Sequence, residues 1–160
     1  MPADQTESPW DRWTVPPLPK AIGPTRARAA SRLRQWAPDL PVEYADRVRQ
    51  VVGELVANAV QHAGGPITVD LWITPLGHLA VLVTDPSPVP PTPREPYEDG
   101  ARGRGLAVVT AECVAWTWQP VPGGGKAVSA TIALPDTGPT AATASRTAPG
   151  RPFTRLRPAV

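Results

Sequence analysis

The apolar residues between positions 42 and 62 recur at the spacing of an amphipathic helix. At about 100° per residue, one side of the segment is apolar and consists of Val48, Val51, Val52, Leu55 and Ala59. The neighbouring side is polar and consists of Arg47, Gln50, Glu54, Asn58 and Gln61. This pattern predicts a helix from Val42 to His62, which Gly64 and Gly65 end.

Two residues on the polar side of this helix carry possible chemistry. Glu54 and Asn58 are four positions apart, one helical turn on the same face. A carboxylate and an amide carbonyl at this spacing can converge on one metal-bound anion. Taken alone, such a pair more often belongs to a solvated helix face. The pair is therefore a catalytic hypothesis that needs support from other motifs.

The remaining periodic segments predict one more long helix, a short helix and four strands. The long helix runs from Thr25 to Trp36, with Pro24 at its first position, and Pro38 ends it. The short helix and the strands are, in chain order, Ile67–Ile73, Leu79–Thr84, the helix Leu106–Glu112, Val114–Gln119 and Ala127–Leu134. The first two strands form an antiparallel hairpin, and Gly123 to Gly125 make the turn between the last two.

This order of elements predicts an α+β fold. Helices segregated on one face of a mostly antiparallel sheet would give a two-layer α/β sandwich. We expect a flexible N-terminal segment, 1–20, with a possible edge strand around Trp10 to Val15, a folded domain, 21–134, and a disordered Ala/Pro/Arg-rich tail, 135–160. The loop 86–102 holds six prolines and is longer than compact domains usually contain. We interpret it as a lid.

Composition fits one globular domain with unusual tails. The chain has 160 residues, 41% of them hydrophobic, and its 23 prolines must lie in tails and loops. The sequence pI near 9.1 is misleading, because the last 26 residues hold four arginines against one aspartate. Residues 1–134 therefore carry a net charge of about −1, and specific nucleic-acid binding is not expected.

Cysteine content and hydropathy favour the cytoplasm. Cys113 is the only cysteine, so an intrachain disulfide and a multi-cysteine zinc site are both excluded. The polar stretch Met1 to Glu7 lacks the pattern of a secretory signal. No apolar run has the length that a membrane-spanning helix requires, so we expect a soluble cytoplasmic protein with no membrane partner.

Three motifs in order give the chain a resemblance to a known superfamily. They are Glu54-x-x-x-Asn58-Ala59-x-x-His62-Ala63, Asp85-x-Ser87-x-x-x-Pro91 and Gly103-Arg104-Gly105-Leu106, with Gly124-Gly125-Lys126 as a final element. Residues 20–134 resemble the ATP-binding domain of gyrase, histidine kinases and the MutL repair protein, the GHKL superfamily with the Bergerat fold. Within it the chain is most similar to the small bacterial anti-sigma-factor serine kinases.

The resemblance implies a role for each motif residue. Glu54 would be the general base, and Asn58 would ligate Mg²⁺ beside the phosphates of ATP. Asp85 would accept a hydrogen bond from the adenine exocyclic amine, with Ser87 and Leu106 also in the nucleotide site. Gly103 and Gly105 would let the backbone approach the phosphates, and Arg104 would add positive charge.

The chain departs from the pattern of the large superfamily members at the Asp85 motif. Those members carry Asp-x-Gly-x-Gly, whereas Pro86, Ser87 and Pro88 follow Asp85 here. The small kinase branch tolerates this substitution. The lid is also short and stiffened by proline, so we expect limited closure over the nucleotide.

Two functional hypotheses follow from the resemblance. The first is a serine/threonine kinase that phosphorylates a serine of an antagonist protein, sequesters a sigma factor, or does both, and so regulates transcription. The alternative is a non-catalytic ATP-binding module for protein interaction. A homodimer through the N-terminal tryptophans is compatible with either. A histidine kinase fragment is disfavoured, because His62 and His78 are the only histidines and no long helical hairpin presents one.

Overall fold

The structure, a computed structural model, describes residues 8–91 and 105–135. Five strands and three helices make up this part of the chain. In chain order they are β1 (Trp10–Val15), α1 (Ile22–Trp36), α2 (Val42–His62), β2 (Ile67–Ile73), β3 (Leu79–Asp85), α3 (Gly105–Glu112), β4 (Ala115–Pro120) and β5 (Lys126–Ile132). A 3₁₀ turn, Pro19–Ala21, precedes α1.

The strands form one antiparallel sheet in the order β1-β2-β3-β5-β4. The pairs β2–β3 and β4–β5 are hairpins, and both were predicted from alternating apolar residues. The crossover through α3 places β5 between β3 and β4, so β2, β3 and β5 are the inner strands and β1 and β4 are the edges. The α+β sandwich with a mostly antiparallel sheet and helices on one face is confirmed.

Helix α2 forms the centre of the helical layer. It packs against α1 and α3 and against β2, β3 and β5 of the sheet. Its apolar face is buried as the helical periodicity predicts, with Ala45, Val48, Val51, Val52, Gly53, Leu55, Val56 and Ala59 inaccessible to solvent. All of these except Ala45 and Gly53 belong to one core cluster with alternate residues of the strands, among them Val69, Leu71, Val81, Val83, Val128 and Ala130.

Strand β1 belongs to this core. It pairs with β2 at the edge of the sheet, and its Trp13 and Val15 are buried among the core residues. The edge strand expected around Trp10 to Val15 is therefore present, and it is part of the folded unit. The proline run begins after β1 has ended.

Ion pairs hold β1 to α1. Asp11 accepts hydrogen bonds from Arg28 and from Arg32 at 2.8–3.0 Å, and the Arg28 guanidinium lies over the Trp13 ring. Burial raises the pKa of the Asp11 carboxyl, but the two arginines outweigh this effect and hold its pKa below the usual value. The pairs therefore stabilise the fold at neutral pH, and this contribution is lost as pH falls through the lowered pKa.

Element ends differ from the predicted ones by a few residues. Helix α1 begins at Ile22, so Pro24 lies within the first turn, where its missing N–H has no intrahelical partner to lose. Strand β3 continues to Asp85 because β5 begins one residue early, at Lys126, and pairs with it. None of the helices in the described ranges is long and apolar enough to span a membrane.

Several predicted features fall outside the described residues. They are the N-terminal residues 1–7, most of the predicted lid, 92–102, the motif residues Gly103 and Arg104, and the tail from residue 136.

The glycines of the β4–β5 turn have two different functions. Gly123 and Gly124 adopt positive φ values of 98° and 97°, a conformation that side chains disfavour. Two hydrogen bonds close the turn: the Val121 amide donates to the Gly125 carbonyl at 2.9 Å, and the Gly124 amide donates to the Val121 carbonyl at 3.2 Å. Gly125 instead lies against another strand end, since a Cβ there would collide with the Asp85 carbonyl oxygen. A side chain at position 125 would push β5 away from β3.

Replacing Gly125 by alanine should therefore destabilise the protein by about 1–3 kcal/mol, the usual cost of overpacking. The same change at Gly53, inside α2, would meet the end of the exposed Arg26 side chain, which can move away. Gly53→Ala should thus be neutral or stabilise by up to about 1 kcal/mol through helix propensity. Urea unfolding of both variants checks the contrast, and equal effects would contradict the assigned packing.

Candidate functional site

The polar face of α2 points Glu54 toward the first residue of α3. A Cβ built on Gly105 would lie 3.1 Å from Oε2 of Glu54, so any larger residue there would press on the carboxylate. Glu54 itself is half-buried. The carboxylate thus lies beside the N-terminus of α3, an eight-residue helix whose first amides have no intrahelical acceptor and attract anions.

One turn along α2, Asn58 holds an unsatisfied acceptor. Its Oδ1 is buried and has no hydrogen-bond partner among the described residues. Buried polar atoms are nearly always paired in folded proteins, so this oxygen is available to coordinate a ligand. A neutral amide oxygen is a donor that suits Mg²⁺, which keeps waters and binds phosphates with few protein ligands. The residues present fit this ion.

No ready-made metal cage accompanies this oxygen. Within residues 8–91 and 105–135, no group of three or more His, Cys, Asp or Glu side chains could hold a metal. The arrangement is therefore suited to a metal that arrives with phosphate oxygens and takes a single amide ligand from α2.

Asp85 ends β3 directly opposite the first residue of β5. Its carboxylate is buried and is bonded by the ammonium of Lys126, whose Nζ lies 3.1 Å from Oδ1 and 3.0 Å from Oδ2. The Lys126 side chain has no solvent exposure, and that of Asp85 has 1%. Asp85, predicted as the acceptor for adenine, therefore already has a charged partner within the chain.

The segment after β3 turns back onto this pair. The Ser87 amide donates to Asp85 Oδ1 at 2.8 Å, and Ser87 Oγ accepts from the Val89 amide at 3.2 Å. Ser87 is buried, so its side chain shapes the turn. A Cβ on Gly65 would lie 3.3 Å from Pro86, which brings the loop after α2 against the end of β3.

The structure places the predicted site residues that it describes in two groups, one between α2 and α3 and one at the end of β3, and α2 packs on both α3 and β3. Glu54 and Gly105 lie together and Asn58 is one turn away, while Ser87 is bonded to Asp85. Leu106 is buried in the first turn of α3, where it anchors the helix. The roles assigned to these residues remain predictions.

Lys126 was missed as a site residue by the sequence analysis. In the sequence, Lys126 attracted notice only as the last residue of the Gly124-Gly125-Lys126 motif. A lysine at the start of a strand is usually exposed to solvent. The alternation of the strand could have identified it. Lys126, Val128, Ala130 and Ile132 occupy alternate positions of one strand and therefore share one face of it. A lysine on that face requires a carboxylate partner.

Comparison with known proteins gives the family. The model of the histidine kinase-like ATPase domain matches residues 15–147, which is most of the chain. The chain belongs to this family, and the resemblance to the GHKL superfamily is confirmed. ATP is the nucleotide that such a domain implies.

Two solved structures are among those that match the chain. The mycobacterial sensor histidine kinase MprB has a TM-score of 0.46 and 19% identity, over 76% of this chain and 98% of that one. The histidine kinase domain of the blue-light activated histidine kinase from Erythrobacter litoralis EL346 has a TM-score of 0.42 and 24% identity, over 69% of this chain and 60% of that one. No curated protein matches the sequence.

The buried pair of Asp85 and Lys126 should be strongly coupled in stability. Asp85→Asn or Lys126→Met leaves one buried charge without its partner, which costs about 3–5 kcal/mol. The double variant removes both charges and should cost much less than the sum of the single variants. Chemical unfolding of the four proteins measures the coupling.

The exposed pair of Asp46 and Arg49, 2.7 Å apart, is the matched control for this cycle. Its coupling should stay below about 1 kcal/mol, as for other surface pairs. Equal coupling in the two cycles would show that the Asp85–Lys126 pair is not buried in solution.

Proposed function

We propose that this chain is an ATP-binding regulator of the anti-sigma-factor serine/threonine kinase type, which transfers phosphate from ATP to a serine of an antagonist protein. The observation that carries the proposal is the position of Glu54: its carboxylate lies beside the anion-attracting start of α3, one turn before the unpaired Oδ1 of Asn58. A base, a metal ligand and a phosphate-binding helix end are then neighbours.

Each residue has a defined task in this proposal. Glu54 accepts the proton of the substrate serine hydroxyl as its oxygen attacks the γ-phosphorus. The amides at Gly105 and Leu106 would bind the phosphate oxygens, since a helix N-terminus favours negative charge. Asn58 Oδ1 would hold Mg²⁺, which would supply positive charge next to the phosphates. The bond that breaks joins the γ-phosphorus to the ADP oxygen, which leaves with the negative charge.

The partner in this proposal is a protein that presents a serine, a sigma factor, or both in turn. Phosphorylation of the antagonist adds roughly −1.5 to −2 charges at its contact surface. That change separates the antagonist from the kinase and leaves the kinase free to hold the sigma factor. The second candidate, a non-catalytic ATP-binding module, is favoured by the engagement of Asp85 with Lys126, because it shows one motif residue in a structural contact.

Substitution of Asn58 separates a ligand role from a structural one. Asn58→Ala should weaken ATP binding in Mg²⁺ at least tenfold and abolish the difference between Mg²⁺ and EDTA. It should not lower the free energy of unfolding, because the oxygen removed has no partner among the described residues and alanine is the better helix former. Calorimetric titration and urea unfolding measure both, with Gln50→Ala on the same helix as control.

The purified protein also allows phosphate transfer from ATP to be tested. With labelled ATP, Mg²⁺ and antagonist proteins that present a serine, Glu54→Gln should reduce phosphate transfer by about 10²–10⁴-fold, the usual contribution of a general base, and leave ATP affinity within threefold. ATP binding without transfer by the wild type would favour the non-catalytic module. No ATP binding at millimolar nucleotide would contradict both candidates.

A further inference from the structure

The carboxylate of Asp85 has little capacity left for a ligand. A carboxylate offers about four acceptor positions. The Ser87 amide occupies one on Oδ1, and the Lys126 ammonium lies within hydrogen-bonding distance of both oxygens. With 1% of its side chain exposed, Asp85 also has almost no contact with solvent.

The position of Lys126 is fixed by the backbone around it. Register pairs it with Asp85 across β3 and β5, and the close approach of Gly125 to the Asp85 carbonyl holds the two strand ends together. Its stem lies on the same strand face as Val128 and Ala130. The ammonium therefore contacts a carboxylate, and its stem lies among apolar core residues. If the ammonium moved away from Asp85, its charge would be buried without a partner.

We propose that Lys126 determines base selectivity, because its ammonium takes the place on Asp85 that the exocyclic amine of adenine would take. The inference rests on the proposed nucleotide binding and concerns how the base is recognised. Both groups are N–H donors that approach a carboxylate oxygen at about 3 Å. Breaking a buried ion pair costs more than one hydrogen bond to a charged acceptor returns, so the amine does not displace the ammonium.

The consequence is a nucleotide site that does not distinguish bases by their amine. A site with a free acceptor rejects an analogue that lacks the matching donor, because its own polar group is then left unpaired. Here the acceptor is satisfied within the chain, whichever base is bound. Triphosphate and metal contacts at α2 and α3 then supply the affinity.

The direct test compares ATP with purine riboside triphosphate, which is ATP without its exocyclic amine. Calorimetric titration of the whole wild-type chain in Mg²⁺ should give dissociation constants within threefold of each other. A preference of tenfold or more for ATP in the wild type would overturn the proposal, and this measurement needs no variant.

Removing the Lys126 ammonium should allow the site to distinguish ATP from purine riboside triphosphate. Lys126→Met keeps a similar volume without a charge, and it should bind ATP at least tenfold more tightly than purine riboside triphosphate. Because Lys126→Met leaves a buried carboxylate unpaired, Asp85→Asn/Lys126→Met is the second variant: its amide carbonyl is a free acceptor with no buried charge. Circular dichroism establishes folding, and Arg34→Met removes one exposed positive charge from α1 as the control.

Failure of this inference is distinguishable from failure of the proposed function. If the wild type binds both nucleotides equally and the variants also bind them equally, ATP binding stands and the role of Lys126 is wrong. If the wild type binds neither nucleotide, the proposed function fails. In that case a folded variant that gains ATP binding supports the inference, and folded variants that bind nothing overturn it.

Discussion

The burial of one face of α2 is the constraint on which the rest of the structure depends. Each valine or leucine that this face removes from water contributes roughly 1.5–3 kcal/mol, and α2 buries Val48, Val51, Val52, Leu55 and Val56 together. Turning the helix by one residue would expose several of them. The rotation of α2 is therefore fixed by the core, and with it the direction in which Glu54 and Asn58 point. A functional pair on this helix is positioned by apolar packing on its other sides.

A second constraint acts where β3 ends and β5 begins. The strands approach so closely that position 125 accepts only glycine without movement, and the next pair along, Asp85 and Lys126, joins opposite charges in the core. An ion pair of this kind contributes less to stability than its geometry suggests, because both charges lose their water. It does define the register, since a slip by one residue would bury a charge without a partner. The end of β3 and the start of β5 are thus held in one register.

Sequence alone predicted the architecture well, because periodicity reports burial directly. The bounds of α2 and β2 agree with the predicted ones, and the antiparallel hairpins were visible in alternation. The edge strand around Trp10 to Val15 was expected only as a possibility, because prolines follow it directly and interrupt its alternation. Lys126 was missed for a different reason: its partner lies 41 positions away, and only the order of strands brings the two together. A motif identifies the residue types of a site. Contacts between residues distant in sequence determine which of those residues already have a partner within the protein.

The central claim is that the polar face of α2 and the start of α3 enclose one nucleotide site. Backbone amide shifts of the isotope-labelled chain, recorded while ATP and Mg²⁺ are added, test it most directly. The account predicts that the largest changes fall on Glu54 to Asn58 and on Gly105 and Leu106, with β1 unaffected. Saturation that leaves these amides unchanged, or changes confined to β1 and α1, would contradict it.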